Sequence, residues 1–288
     1  MSRPLRELTT YLVLAFSMAI GIAVALPHAG INRLLSVLVP VTAVLVITFA
    51  FTARGKRREL WRSFGLNRSG SNTWALAIGV PMLLVGLAYG TAVALGVADL
   101  RSFDITPGGA ASWVLNVVAT LAFMGVLLLG EEIGWRGYLL PRVQQLTSRR
   151  RAAVLTGFLH GCFHLPLILI ATTYNEHGSR WLVAPVAVAT ITAGGIFYAY
   201  LWDRTGSVWP VTLAHSAVNW MFAAGAAAVV AGSEDELAYV AGESGFATFG
   251  AVALVGAVFL ARARVWRQDG STPASRRTSP SATREPVA

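Results

Sequence analysis

The sequence predicts an all-α fold, a polytopic bundle of membrane helices. Three observations carry that prediction. The 288-residue chain is 55% hydrophobic and only 13% charged, about half the charge density of a soluble domain, with a mean hydropathy of +0.59. Apolar runs near the length of about 20 residues that a helix needs to cross a bilayer recur along it. The period-two alternation of a lipid-facing barrel is absent.

About eight transmembrane helices are expected, near 9–26, 34–52, 74–97, 111–130, 152–171, 182–201, 208–231 and 246–261. The first imitates a signal peptide, with Arg3 and Arg6 before an apolar core and Ala23-Val24-Ala25 near its end. Its long apolar run, and Pro27 just past the cut, favour a retained span. Residues 55–72 form a basic connector too polar to span, expected to be partly helical along the membrane surface. The segment GEEIGWRGYLLPRV has no breaker before Pro141, so the fourth helix should continue through Glu131 and Glu132, against the weakening effect of Gly134 and Gly137. Pro166 and Pro210 lie within or near spans, where neighbouring helices can satisfy the freed carbonyls. Residues 1–264 therefore form the transmembrane domain. Residues 265–288, rich in Arg, Ser, Thr and Pro, read as a disordered cytoplasmic tail.

The net charge of +9 is distributed as topology. With both termini cytoplasmic, every basic residue except Arg33, Arg101 and Arg180 falls at a cytoplasmic loop or terminus. The opposite segments hold Asp99, Asp104, Glu176, Glu234, Asp235 and Glu236. This satisfies the positive-inside rule at every loop. The basic excess adds attraction to anionic lipid headgroups rather than a nucleic-acid surface. The expectation is a multi-pass protein of a bacterial cell membrane. Cys162, the one cysteine, excludes an intrachain disulfide or a thiolate metal cluster and reads as a small packing residue. No internal repeat and no glycine-rich phosphate loop is present.

Against this apolar background stand a few ionisable groups. Each costs roughly 2.5–3.5 kcal/mol even on lenient insertion scales and is normally kept for a purpose. Glu132 and Arg136, four apart, share a helix face and can pair; Glu131 points about 100° away and is left available as a base toward water. His164 lies about 18 Å of helical rise from the cytoplasmic end of its span, a depth comparable to that of Glu131 and of His215. His215 and Asn219 share a face, as do His160 and His164. Imidazoles with an amide can bind a metal, hold a water or donate to an oxyanion. His160 taken singly reads as interhelical hydrogen-bond glue. Tyr174, Trp181, Tyr198, Trp202 and Trp209 read as interfacial anchors. The compact HExxH arrangement of zincins is absent.

Three motifs, in order on separate spans, carry a family resemblance. EEIGWR fits EExxxR, HGCFHLP carries a motif histidine, and HSAVN fits HxxxN. Together they resemble the CPBP family, the CAAX proteases and bacteriocin-processing (Abi) proteins that include the type II CAAX prenyl endopeptidase. The likeness covers about 111–231. It implies that Glu131 activates the attacking water and that Glu132 with Arg136 holds the helix. His164, His215 and Asn219 would complete the site, either as ligands to a metal such as Zn2+ or as water and oxyanion partners. One departure stands out. FxxxH would place a phenylalanine four residues before His164, where this chain has His160, an added ligand, a supporting partner or a neutral variant.

The expected function is an intramembrane endopeptidase with its site in the cytosolic half of the bundle, acting on a membrane-associated peptide or protein. The alternatives are a non-proteolytic membrane scaffold or immunity protein of the same family, and a proton-coupled transporter. The absence of repeat halves weighs against the transporter.

Overall fold

A helix in lipid must satisfy its backbone internally, and long helices dominate the computed structural model, which describes residues 2–102, 107–171 and 177–267. Asp104, Tyr174, Glu176 and the expected tail beyond Arg267 lie outside the described residues. Helix α1 (Arg3–Ala25) is followed by α2 (Ile31–Val46), which a π turn at Ile47–Phe51 extends. The basic connector contains the short α3 (Arg57–Arg62), and α4 (Trp74–Ala94) leads to strand β1 (Ala98–Leu100). Helix α5 (Pro107–Glu132) runs through a π segment, Ile133–Leu139, into α6 (Leu140–Gln144). Helix α7 (Arg149–Phe163) is prolonged by a π turn at Leu167–Ala171, and α8 (Arg180–Thr205) and α9 (Trp209–Ala228) follow. Strand β2 (Val229–Ala231), α10 (Glu234–Ala241) and α11 (Phe246–Arg262) complete the order.

Seven helical stretches among the described residues are long and apolar enough to cross a membrane. The sequence predicts about eight. The difference is α9, which has spanning length at 20 residues but carries His215 and Asn219, whose polarity lowers its hydropathy. The anticipated continuation through the glutamates is present, as one helical stretch over Ala111–Gln144.

Close helix contacts rest on glycine. On α7, Gly157 and Gly161 form a G-x-x-x-G face, the small-residue spacing that lets membrane helices approach. A Cβ at Gly157 would lie 2.6 Å from the Thr192 carbonyl oxygen on α8, and one at Gly161 2.9 Å from that of Val188. At the end bearing the arginine-rich loops, Tyr11, Phe64, Trp135 and Tyr138 pack into an aromatic plug that is at most 1% exposed. Tyr11 meets Trp135 edge-on at 5.8 Å and stacks on Tyr138 at 5.2 Å. Polar ties close the same end: Arg142 Nε donates to Glu7 Oε2 at 2.9 Å, Gln144 Nε2 to Asp203 Oδ1 at 2.9 Å, and Trp209 Nε1 to the Leu66 carbonyl at 2.9 Å. Arg264–Arg267 form a 3-10 turn whose Trp266 is buried and donates to the Phe259 carbonyl at 2.8 Å, so the chain stays packed just past residue 264. At the other end β1 and β2 pair antiparallel, with Ala98 opposite Ala231.

Candidate active site

The site begins where α5 gives way to the π segment. A π turn widens the helix and is often found where function needs side chains re-aimed. Gly134 and Gly137 allow the segment to press into the bundle. A Cβ at Gly134 would lie 2.5 Å from Pro40 and from the Tyr11 hydroxyl, and one at Gly137 3.2 Å from Phe64. The glycines that weaken the helix locally are thus points of close tertiary contact.

Glu131, Glu132 and Arg136 are all buried. Arg136 Nη1 donates to both carboxylate oxygens of Glu132, each at 3.0 Å, the pairing expected from their spacing. The same nitrogen lies 3.3 Å from His160 Nδ1. An arginine can only donate, so His160 Nδ1 accepts and the ring proton sits on Nε2. Glu132 takes a second partner that its spacing does not reveal: His215 Nδ1, at 2.8 Å from Oε1. A buried carboxylate bonded by a guanidinium and an imidazole holds α5, α7 and α9 in one network.

Glu131 stands differently. Its Oε2 has no hydrogen-bond partner among the described residues. His160 Nε2 is 3.4 Å away but not aligned into a hydrogen bond. His160 Nε2 is also 3.4 Å from His164 Nε2, and its ring stacks on Trp135 at 4.7 Å and 27°. His164 lies at the break that ends α7, two residues before Pro166, whose missing N–H cannot continue the helix.

A cavity of about 530 Å³ joins Glu131, His160, His164, Tyr198, His215 and Asn219 on one wall. Every candidate therefore reaches this site, Glu132 and Arg136 from just behind it. Sequence reasoning missed two members and underrated a third. Tyr198, read as an interfacial anchor, lines the cavity with the Arg136 guanidinium 4.8 Å over its ring and His215 5.5 Å away. Trp135, inside the glutamate motif, supplies the platform for His160. His160, read as glue, is the group nearest to Glu131 Oε2 in the network. A tyrosine on the same span as Gly194-Gly195 was the available signal: a Cβ at Gly195 would lie 3.4 Å from Arg136 Nη2.

The cavity also departs from expectation in direction. From Glu131 it extends to Gly30 and Arg33 at the start of α2 and to Glu243 before α11, away from the arginine-rich loops. The aromatic plug fills the other direction. Under the positive-inside orientation, the cavity occupies the extracytoplasmic rather than the cytosolic half of the bundle.

The zinc implied by the resemblance finds no preformed set of ligands here. Among the described residues, no group of three or more His, Cys, Asp or Glu is placed to hold a metal ion. What the arrangement offers is a carboxylate without a hydrogen-bond donor on one oxygen, imidazole N–H groups beside it, and a cavity large enough for a peptide side chain and water.

Residues 110–221 match the family model of the type II CAAX prenyl endopeptidase Rce1-like proteins. The chain is also 26% identical over 153 residues to CAAX prenyl protease 2 of Methanococcus maripaludis, covering 51% of this chain and 55% of that protein. It thus spans about half the length of this curated relative. The matched stretch contains every motif residue from Glu131 to Asn219, and over that region this multi-pass chain is similar to the Rce1-like type II CAAX prenyl endopeptidases.

Proposed function

We propose that this protein is an intramembrane endopeptidase in which Glu131 activates the attacking water. The observation that supports it is the contrast between two adjacent carboxylates. Glu132 is consumed by Arg136 and His215, whereas Glu131 lines the cavity and its Oε2 accepts no hydrogen bond. Water held at Oε2 gives its proton to Glu131 as its oxygen bonds to the scissile carbonyl carbon. The carbonyl oxygen gathers negative charge, toward which Asn219 and an imidazole N–H can donate. Collapse breaks the C–N bond, and Glu131 returns the proton to the leaving nitrogen. No step passes through a metal.

In this scheme Glu132 and Arg136 act by position. They fix His215, whose Nδ1–H is given to Glu132, and His160, whose tautomer leaves its Nε2–H beside Glu131. The substrate is a membrane-associated peptide or protein; the cavity itself has mostly apolar walls.

Comparative peptidomics of membranes carrying wild type or Glu131→Ala tests the reading. Peptide products present with wild type should vanish with the variant, while the variant still accumulates as folded protein. An unchanged set of products with Glu131→Ala overturns it.

A further inference from the structure

Helices α2 and α5 approach closely at the level of Val41 and Gly130. A Cβ at Gly130 would lie 3.1 Å from Val41, and one at Gly134 2.5 Å from Pro40. Toward the Arg33 end, Leu34 and Val37 on α2 and Phe123 and Leu127 on α5 all line the catalytic cavity. Yet Leu34 is 41% exposed and Phe123 59% exposed. Cavity-lining residues this exposed, one on each helix, place an opening of the cavity between them. The two helices therefore form a cleft, closed at Val41–Gly130 and open toward the leaflet opposite the arginine-rich loops. Leu127 lies one helical turn, about 6 Å, from Glu131 and Phe123 two turns, about 12 Å. No residue of the arginine-rich connectors lines the cavity.

We propose that the site is loaded sideways through the α2–α5 cleft, from the leaflet opposite the arginine-rich loops, by an apolar peptide segment whose scissile bond lies in that leaflet. The walls leading to Glu131 are apolar, which suits a segment already dissolved in the bilayer. The cleft ends at a carboxylate, imidazoles and an amide. A peptide bond can pair with these; a lipid acyl chain cannot. The identity of the cleaved bond rests on the hydrolase reading, whereas the side and route of access do not.

Two measurements separate these parts. In a Cys162→Ser background, Leu127→Cys and, as a marker of the arginine-rich face, Ser63→Cys are placed in sealed vesicles with that face inside. A charged methanethiosulfonate added outside should modify Leu127→Cys and spare Ser63→Cys. Reaction of Leu127→Cys only from the Ser63 side, or from neither side, overturns the proposal. Next, N-(1-pyrenyl)maleimide, which dissolves in lipid, is applied to Leu34→Cys and to Leu83→Cys, an exposed α4 position outside the cavity. Pyrene at Leu34→Cys should reduce Glu131-dependent products at least tenfold, and pyrene at Leu83→Cys should leave them. Failure of Leu34→Cys to react, or full cleavage once it has reacted, overturns the route. If Glu131→Ala removes no products, the hydrolase reading fails, and the vesicle labelling still decides the side of access.

Discussion

Glu131 and Glu132 are neighbours in sequence with opposite chemical situations. Glu132 is held by Arg136, which is buried, and by His215, which is largely so at 13% exposure. Removing one member of a buried ion pair leaves an uncompensated charge and costs about 3–5 kcal/mol. Glu132→Ala should therefore fail as a fold, seen as a loss of detergent-solubilised monomer or a sharply lower thermal midpoint. Glu131→Ala should keep the wild-type stability within about 1 kcal/mol, since it gives up no hydrogen bond at Oε2. A Glu131→Ala protein that melts as early as Glu132→Ala would assign both glutamates to the scaffold. His160 invites a graded series. Phenylalanine there keeps the ring on Trp135, worth about 0.5–1.5 kcal/mol, but loses the acceptor for Arg136. Thermal midpoints should fall from wild type through His160→Phe to His160→Ala. The pairing of Glu132 with Arg136 could be read from their spacing because one helix holds both. The pairing of Glu132 with His215 could not, because only the bundle brings α5 beside α9.

At the level of the element, glycine sets how closely helices approach. Gly157→Val should separate α7 from α8, because its side chain meets the Thr192 backbone, which cannot turn aside. Overpacking of this kind costs typically about 1–3 kcal/mol. Gly21→Val on α1, where nothing lies within 4 Å of a Cβ, should leave the midpoint of thermal unfolding unchanged. Equal effects of the two substitutions would remove the close-approach argument. The same reasoning explains the helix through GEEIGWRG. Propensity makes Gly134 and Gly137 weak points, yet contact with Pro40, Tyr11 and Phe64 more than offsets that and fixes the π segment. Helix α9 shows the reverse. Its His215 and Asn219 lower its hydropathy, and neighbouring helices keep those side chains among protein groups.

Across the whole molecule, the arginine-rich end is sealed and the opposite end is where the cavity runs. The orientation follows from charge and can be checked directly. A reporter active only outside the cytoplasm should work when fused after Gly96 and fail when fused after Gly55; the reverse pattern would invert the bundle and place the cavity on the cytoplasmic side. The sequence places the acidic and imidazole groups at similar depths, which is why the site residues were legible. It is silent on which side of that level is filled. Phe64 of the connector and Tyr11 of α1 occupy one side, and neither carries a local signal of that role.

By itself the sequence determined the run of long apolar helices, the motif residues and a family resemblance, because hydropathy and short spacings act within single segments. Only the tertiary structure decided that Glu132 belongs to the scaffold with His215, that Tyr198 and Trp135 join the site, and that the cavity leaves the membrane away from the arginines. Those outcomes depend on which faces of different helices meet, and packing between separate segments leaves no trace in local periodicity.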